Sequence, residues 1–375
     1  MSFSVAPVRN KADLEDFLQI PYSIYADDPH YVFPLLSEQR EFLDKSANPF
    51  YRHAETELWL ARENGRPLGR IAACVDKYHN EAHEENTGFF GFFETAARPE
   101  VAKALLETAE AWLRDQGVDT MRGPCCFTTN HDFVGVLIEG KQESPVVGMP
   151  YNPDYYADYL EDYGFQKCKD LWAWKYTDSG TGIPGKIKVA MESLLQSDVL
   201  KVRPFDMNRF DEEASTVRSL YNQCWGQNWG FIPMDDTEFA FAAKNMKKMV
   251  DAEYLLIAEA QGQPIGFCLS IPDFNQALKP CRGRLFPTGF LKFLWHKRKI
   301  NGLRTLLLGV LPEYRRRGVD GAMVYKTFQA GLARGISWAE CSWVLEDNKA
   351  MNLILRRLGA EQYKTYRVYD LFLSS

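Results

Sequence analysis

The stretch Leu308 to Phe328, LGVLPEYRRRGVDGAMVYKTF, combines residue types that can do chemistry at close spacing. A short apolar run stops at Pro312. Arg315, Arg316 and Arg317 follow, then Gly318, Val319, Asp320 and Gly321, then an amphipathic run. The order predicts a strand, a basic glycine turn and a helix beginning near Val319. A helix start offers unpaired N–H groups and the positive end of the macrodipole. Glycines let the backbone approach an anion, and arginines add charge and forked donors. Such a turn is chemically a pyrophosphate cradle, although a solvated basic turn has the same composition. It has neither the Lys-Ser/Thr ending of a P-loop nor a GxGxxG spacing. Asp320 is the misfit, because it puts a carboxylate where phosphate would repel it.

A second polar knot, Asn130-His131-Asp132, lies between apolar runs in the first half of the chain. His131 can titrate near neutrality and act as a base. The alternative is a loop turn in which Asn and Asp bond their own backbone. Nothing nearby supplies a third metal ligand, and the eight cysteines show no CxxC or Cys/His zinc spacing, so no metal site is expected. Cys125 has no paired base and is not expected to be a nucleophile.

The elements that must position these residues repeat once. LWLARENGRPLGRIAACVD (Leu58–Asp76) and YLLIAEAQGQPIGFCLSIPD (Tyr254–Asp273) both predict strand hairpins, turning at Asn64-Gly65 and Gln261-Gly262. Each is followed by an apolar run and a helical pattern, the first with Val101, Leu105, Ala109 and Trp112 at helical spacing. Each half closes on a helix, a glycine stop (Gly164, Gly359) and an aromatic strand. Two copies of this length imply a duplication rather than a solenoid. The expected division is 1–178, a linker and connecting helix over 179–200, and 201–375. Each half is expected to be mixed α/β around a largely antiparallel sheet.

The second half resembles the GNAT acyltransferase superfamily, which carries Gln/Arg-x-x-Gly-x-Gly/Ala between a strand and a helix. Arg315 through Asp320 falls on that frame, with Asp320 replacing the last small residue. Asn348 and Gly359 keep the spacing of the family's later segment, while Met351, Leu355 and Ala360 depart from it. The resemblance implies an acyl-coenzyme A co-substrate, acetyl or longer, with no metal. Its pyrophosphate would lie on Arg315, Arg316, Arg317, Gly318, Val319 and Gly321, and its pantetheine arm on the splayed strand end Gly309, Val310 and Leu311. An amine would attack the thioester directly. Glu346, just past a predicted strand, is the implied base; helix capping by Asp347 or Asn348 is the plain alternative. The family's tyrosine acid is missing at Leu355, and Tyr363 and Tyr366 lie nearby. The first half resembles the same fold without a cradle: only Arg98 there could reach an anion, and Pro99 simply suits a first helical turn.

From Phe274 to Pro312 there is no Asp or Glu, yet eight Lys and Arg are interleaved with Phe, Leu and Trp. This basic and apolar insertion, near 274–304, has the composition of an interfacial segment. It could rest on an anionic leaflet, line a channel for an acyl chain, or pack on the first domain with its lysines solvated. It moves the expected acceptor toward a lipid, and the tandem arrangement resembles that of bacterial proteins that N-acylate long-chain bases, which implies such a base as the acceptor. A non-catalytic GNAT scaffold or a membrane adaptor is the rival reading. The net charge of −6 gives no global basicity for nucleic acid. MSFSVAPVRNKADLEDF lacks a signal-peptide core, and no apolar run approaches the ~18 residues of a membrane span. A cytoplasmic protein, or one peripheral at the inner membrane face, is expected.

Overall fold

The turns Asn64-Gly65 and Gln261-Gly262 place consecutive residues at positive φ, 49° and 79° in one and 52° and 76° in the other. This geometry matches the twist of paired strands, so each turn closes a tight hairpin. The computed structural model, described for residues 3–178, 180, 183–226, 228–247 and 249–373, builds one such hairpin into each of two units.

The first unit runs to Leu171 and also takes Leu278–Leu294 and the chain from Lys364. In order it contains β1 (Ser4–Pro7), α1 (Lys11–Ile24), α2 (Leu36–Phe42), β2 (Ala54–Glu63), β3 (Arg66–Asp76), α3 (Lys77–His83), β4 (Thr87–Thr95), α4 (Pro99–Asp115), β5 (Thr120–Gly123), β6 (Val136–Glu139), α5 (Tyr155–Tyr163) and the start of β7 (Gln166–Thr177). The strands lie in the order β1-β2-β3-β4-β5. Only β4 and β5 are parallel, and they pair over just three residues, Thr87 to Phe89 with Thr120 to Arg122. Helix α4 buries its Val101, Leu105 and Ala109 face against Ile71, Phe90 and Phe93 of the sheet, as its spacing predicts.

The second unit runs from Trp172 to Ala277 and from Trp295 to Tyr363. It contains the rest of β7, then α6 (Gly185–Leu195), β8 (Lys201–Pro204), α7 (Phe210–Trp225), α8 (Asp236–Met246), β9 (Leu255–Ala260), β10 (Gln263–Pro272), most of α9 (Asn275–Leu278), the end of α10 (Gly289–Lys297), β11 (Gly302–Val310), α11 (Val319–Leu332), β12 (Trp338–Leu345), α12 (Lys349–Arg357) and the start of β13 (Glu361–Phe372). Its strand order is β7-β12-β11-β10-β9-β8. Here too one pair, β11 with β12, is parallel.

The expected division into 1–178 and 201–375 therefore misses two segments. The last strand pairs with β6 through Thr365–Arg367 and with β5 through Tyr369–Phe372, so this strand completes the first unit. The base of the insertion also belongs there. Tyr22 donates to the carbonyl of Arg282 at 2.7 Å, and Leu36 N–H donates to that of Gly283 at 3.1 Å. Gly283 has φ +72°, and a β-carbon would stand 2.3 Å from the Tyr22 hydroxyl, so only glycine fits that approach. The far side of the insertion is solvated: Phe286, Phe290, Leu291, Leu294 and Trp295 are five of the eleven exposed large apolar side chains among the described residues. Among those residues no helix is long and apolar enough to cross a membrane, and no cluster of three His, Cys, Asp or Glu could hold a metal.

Candidate active site

In the second unit β11 and β12 pair only from Gly302–Trp338 to Thr305–Cys341, although β11 continues to Val310 and β12 to Leu345. The strands part after Thr305. A bulge on the other edge of β11, where Leu269 meets Leu307 and Ser270 meets Thr305, turns the strand at that level. Leu306, Leu307 and Leu308 are correspondingly half-buried where their neighbours are buried. The result is a cleft with its apex at Thr305 and Cys341 and its mouth at the ends of both strands.

The basic turn lies at the mouth. Arg316 and Gly318 take φ of 62° and 81°, and α11 starts at Val319. Alternating left-handed residues before a helix curl the backbone so that successive N–H groups converge. Among the described residues no group accepts from the N–H of Arg316, Arg317, Gly318, Val319 or Asp320; the Gly321 N–H is taken by the Asp320 carboxylate at 2.8 Å. Asp320 is thus neither turned away nor idle, because it folds back over the first helical turn and caps one donor.

Arg315 behaves differently from its two neighbours. Its Nε donates to the Val310 carbonyl at 3.1 Å and its Nη2 to that of Cys224, in α7, at 2.6 Å. It fixes the shape of the turn; all three arginines are exposed, and among the described residues neither Arg316 nor Arg317 makes a side-chain hydrogen bond. Gly318 and Gly321 also admit α6: β-carbons there would come 3.3 Å from Leu194 Cδ2 and 3.0 Å from Met191 Sδ. Of the expected arm-binding residues, Leu311 already donates to Ile265 at 2.9 Å, and the Val310 carbonyl accepts from Arg315. The strand edge open toward β12 is that of Leu306–Gly309.

The remaining sequence candidates fall in three places. Glu346 follows β12 at the mouth, in a turn pinned by Asn352, whose Nδ2 donates to the carbonyls of Leu345 and Glu346 at 3.0 and 3.3 Å. Asn348 is the N-cap of α12, accepting from the Met351 N–H at 3.2 Å. Tyr363 lies near the apex: its hydroxyl donates to the Glu340 carboxylate, and Glu340 pairs with Arg304, one residue before the strands part. Glu340 is fully buried with Oε1 unpartnered. Tyr366 is fully buried in the first-unit part of β13. His131 is in the first unit, with Nδ1 3.0 Å from Thr128 Oγ1 and its ring edge-on to Phe50 and Phe42. It is not in the unit that carries the cleft.

The first unit repeats the parting strands without the free amides. Ala96 N–H donates to Leu68 and Arg98 N–H to Ala96. Pro99 has no N–H, and the Arg98 side chain pairs with Glu63 at 3.2 Å and Glu100 at 2.8 Å. Arg98, the one residue of this turn that could reach an anion, has its charge met by these carboxylates.

No family model matches the chain. It is 35% identical over 368 residues to Protein YghO of Escherichia coli, covering 96% of this chain and 93% of the relative. It is 34% identical over 375 residues to a bacterial ceramide synthase of Caulobacter vibrioides, covering 98% and 97%. Among solved structures it shares the fold of a tandem GNAT protein from the clavulanic acid biosynthesis pathway, with a TM-score of 0.61 over 100% of this chain and 99% of that one at 13% identity. The expected mixed α/β fold of two tandem GNAT-like domains is the architecture found.

Proposed function

Because the chain belongs to the family of the Caulobacter bacterial ceramide synthase and Protein YghO, and is built of tandem GNAT-type units, we propose that it is an acyl-CoA-dependent N-acyltransferase acting on an amine. The observation that carries this reading is the row of free N–H groups from Arg316 to Asp320 at the mouth of the cleft. These amides, with the Arg316 and Arg317 guanidiniums, suit the pyrophosphate of acyl-CoA. The open edge of Leu306–Gly309 suits the pantetheine amides. Acyl-CoA supplies its acyl group as a thioester, and attack by the amine forms the amide and releases the thiol. In this reading the Tyr363 hydroxyl, which donates to Glu340 near the apex, is the acid that gives a proton to the departing sulfur. Glu346, at the mouth, is the base in this reading and takes the proton that the amine loses.

Calorimetric titration with acetyl-CoA and a long-chain acyl-CoA tests the reading. Binding is expected for at least one, and Gly318→Asp should abolish it by adding a negative charge and a left-handed penalty of ~1–2 kcal/mol. If neither ligand binds the parent protein, the reading fails. The same titration with Asp320→Gly should show binding a few-fold tighter, since one unit charge at ~5 Å in water opposes phosphate by ~1 kcal/mol. Unchanged binding would mean that Asp320 only caps the helix.

A ceramide is a long-chain base acylated on its amine, so the relative's name favours a long-chain base as acceptor and a lipid surface as its source. The α10 region fits that surface. Phe286 is 88% exposed and Trp295 62% exposed, and Lys292, Lys297, Arg298 and Lys299 stand beside them with no acid in the segment. Exposed aromatics and lysines together favour an anionic leaflet, at ~1 kcal/mol per basic residue. Flotation with vesicles containing anionic lipid should carry the protein upward, and Phe290→Ser with Trp295→Ser should abolish this. Equal flotation with neutral vesicles would remove the electrostatic part of the idea.

A further inference from the structure

We propose that the first unit has a binding cavity of its own, in which Glu94 and Arg70 together hold a primary amine bearing an oxygen on a neighbouring carbon. The two residues face each other across β3 and β4, with apolar residues next to each along its strand. A bulge places them there: Ala72 pairs with Gly91 and Arg70 with Glu94, so one extra residue is looped out, and Phe92 takes φ +47°. Bulges of this kind re-aim side chains next to functional sites.

The pair is buried but incomplete. The side chains are 4% and 13% exposed, and Glu94 Oε1 stands 4.0 Å from Arg70 Nη2. Glu94 Oε2 accepts from the Tyr25 and Tyr156 hydroxyls at 2.7 and 2.8 Å, while among the described residues Oε1 has no hydrogen-bond donor. Arg70 donates through Nη1 to the Phe17 carbonyl at 2.8 Å, and its buried Nε has no partner. Structural pairs in the same unit look different. Arg122 meets Asp370, and Arg367 meets Asp170, through two bonds of 2.8 and 3.0 Å each. Leaving charged donors and acceptors unmade in a buried place is costly, so an open pair calls for a third participant.

The space for one is adjacent. A cavity of about 90 Å³ is bordered by Arg70, Glu94, Phe92, Phe133, Tyr151 and Tyr156. At roughly 30 Å³ per water it holds about three waters, or the polar head of an amino alcohol, and no alkyl chain. An ammonium fits the free carboxylate oxygen and the aromatic walls. A neighbouring hydroxyl fits the Arg70 Nη2, which faces Glu94 at 4.0 Å and makes no hydrogen bond among the described residues. An anion is disfavoured by Glu94, and a metal would find one carboxylate alone. Burial also pushes the Glu94 carboxyl above its usual range, which suits a group that can exchange a proton with an amine.

Naming this ligand as the acceptor rests on the proposed N-acyltransferase function, whereas binding in the cavity does not. The full chain is titrated by calorimetry with 2-amino-1,3-propanediol, without acyl-CoA. Millimolar binding is expected, weakened at least tenfold in Glu94→Gln and lost in Cys126→Met, which fills the cavity from its wall. Thermal unfolding of each variant establishes that it is folded. Glycerol, which replaces the amine with a hydroxyl, should bind at least tenfold more weakly. No heat with the amino diol, equal binding of glycerol, or tighter binding of acetate would overturn the proposal. If acyl-CoA binds and the amino diol does not, the cavity proposal falls alone. If the amino diol binds and acyl-CoA does not, the acyltransferase reading falls and the cavity stands.

Discussion

Replacing Asp370 with alanine is expected to destabilise the first unit by about 3–5 kcal/mol, the cost of leaving a buried charge without its partner. Asp370 lies on the last strand and Arg122 on β5, the strand it completes. Their side chains are 11% and 9% exposed and joined by two hydrogen bonds. Arg122 also reaches Glu85 at 2.7 Å. Because the chain has two units, a single unfolding midpoint is a poor readout. Amide exchange at Thr120 to Gly123 and Tyr369 to Phe372, which form the ladder, reports the local opening. Arg122→Met with Asp370→Leu should recover most of the loss, because an apolar pair of similar volume replaces a buried ion pair at little cost. Protection unchanged in Asp370→Ala would show that the last strand is held by packing alone.

The same network has an acid limit. The hydrogen bond from His79, and then the Arg122 charge, hold the Glu85 carboxyl down at about 2, against 4.5 for an ordinary glutamate. A carboxyl lowered by folding contributes stability that is complete above the unfolded value and is lost as pH falls through the folded one. Ladder protection should therefore decline between about pH 4.5 and 2, and Glu85→Gln should remove that slope.

These contacts also explain which parts of the fold were legible. The hairpins were, because Asn64-Gly65 and Gln261-Gly262 force a local geometry that two residues suffice to specify. The helix stops Gly164 and Gly359, at φ 114° and 86°, were legible for the same reason. The strand from Lys364 was assigned to the wrong half. Strands β7 and β13 have similar aromatic patterns, and the choice of unit rests on Arg122–Asp370 and Arg367–Asp170, pairs separated by 248 and 197 residues. No local period records such a choice. The insertion's composition marked its exposed aromatic face, but its anchoring depends on Gly283 meeting Tyr22 and Pro34, again a distant contact. Arg70 and Glu94 did leave a trace: Arg70 interrupts the apolar middle of β3, and Glu94 is the one charge in β4. What that trace could not carry is the open geometry of the pair, which the bulge creates.

Arg315 separates sequence from structure most sharply, and changing it should weaken ligand binding far more than changing either neighbouring arginine. Its place in the motif suggested a phosphate ligand; its contacts make it a clamp between the Val310 and Cys224 carbonyls. Arg315→Lys keeps the charge but offers one ammonium where two forked donors bridge two carbonyls. Each bond to a charged donor is worth about 1.5–3 kcal/mol. If half of the energy of the two bonds together, about 1.5–3 kcal/mol, serves to hold the turn in its binding shape, losing the clamp should lower acyl-CoA affinity by about ten- to a hundredfold. Arg317→Ala removes an exposed charge stacked on Tyr314, 5.2 Å from its ring. Its effect should be a few-fold and should shrink as salt is raised, as screening requires. The Arg315→Lys loss should persist in salt, because it comes from geometry. Calorimetric affinities at low and high ionic strength distinguish the two. If lysine at 315 binds like the parent while alanine does not, Arg315 acts through charge and the clamp is incidental. If both bind like the parent, the turn is held by Pro312, Gly318 and α11 without it.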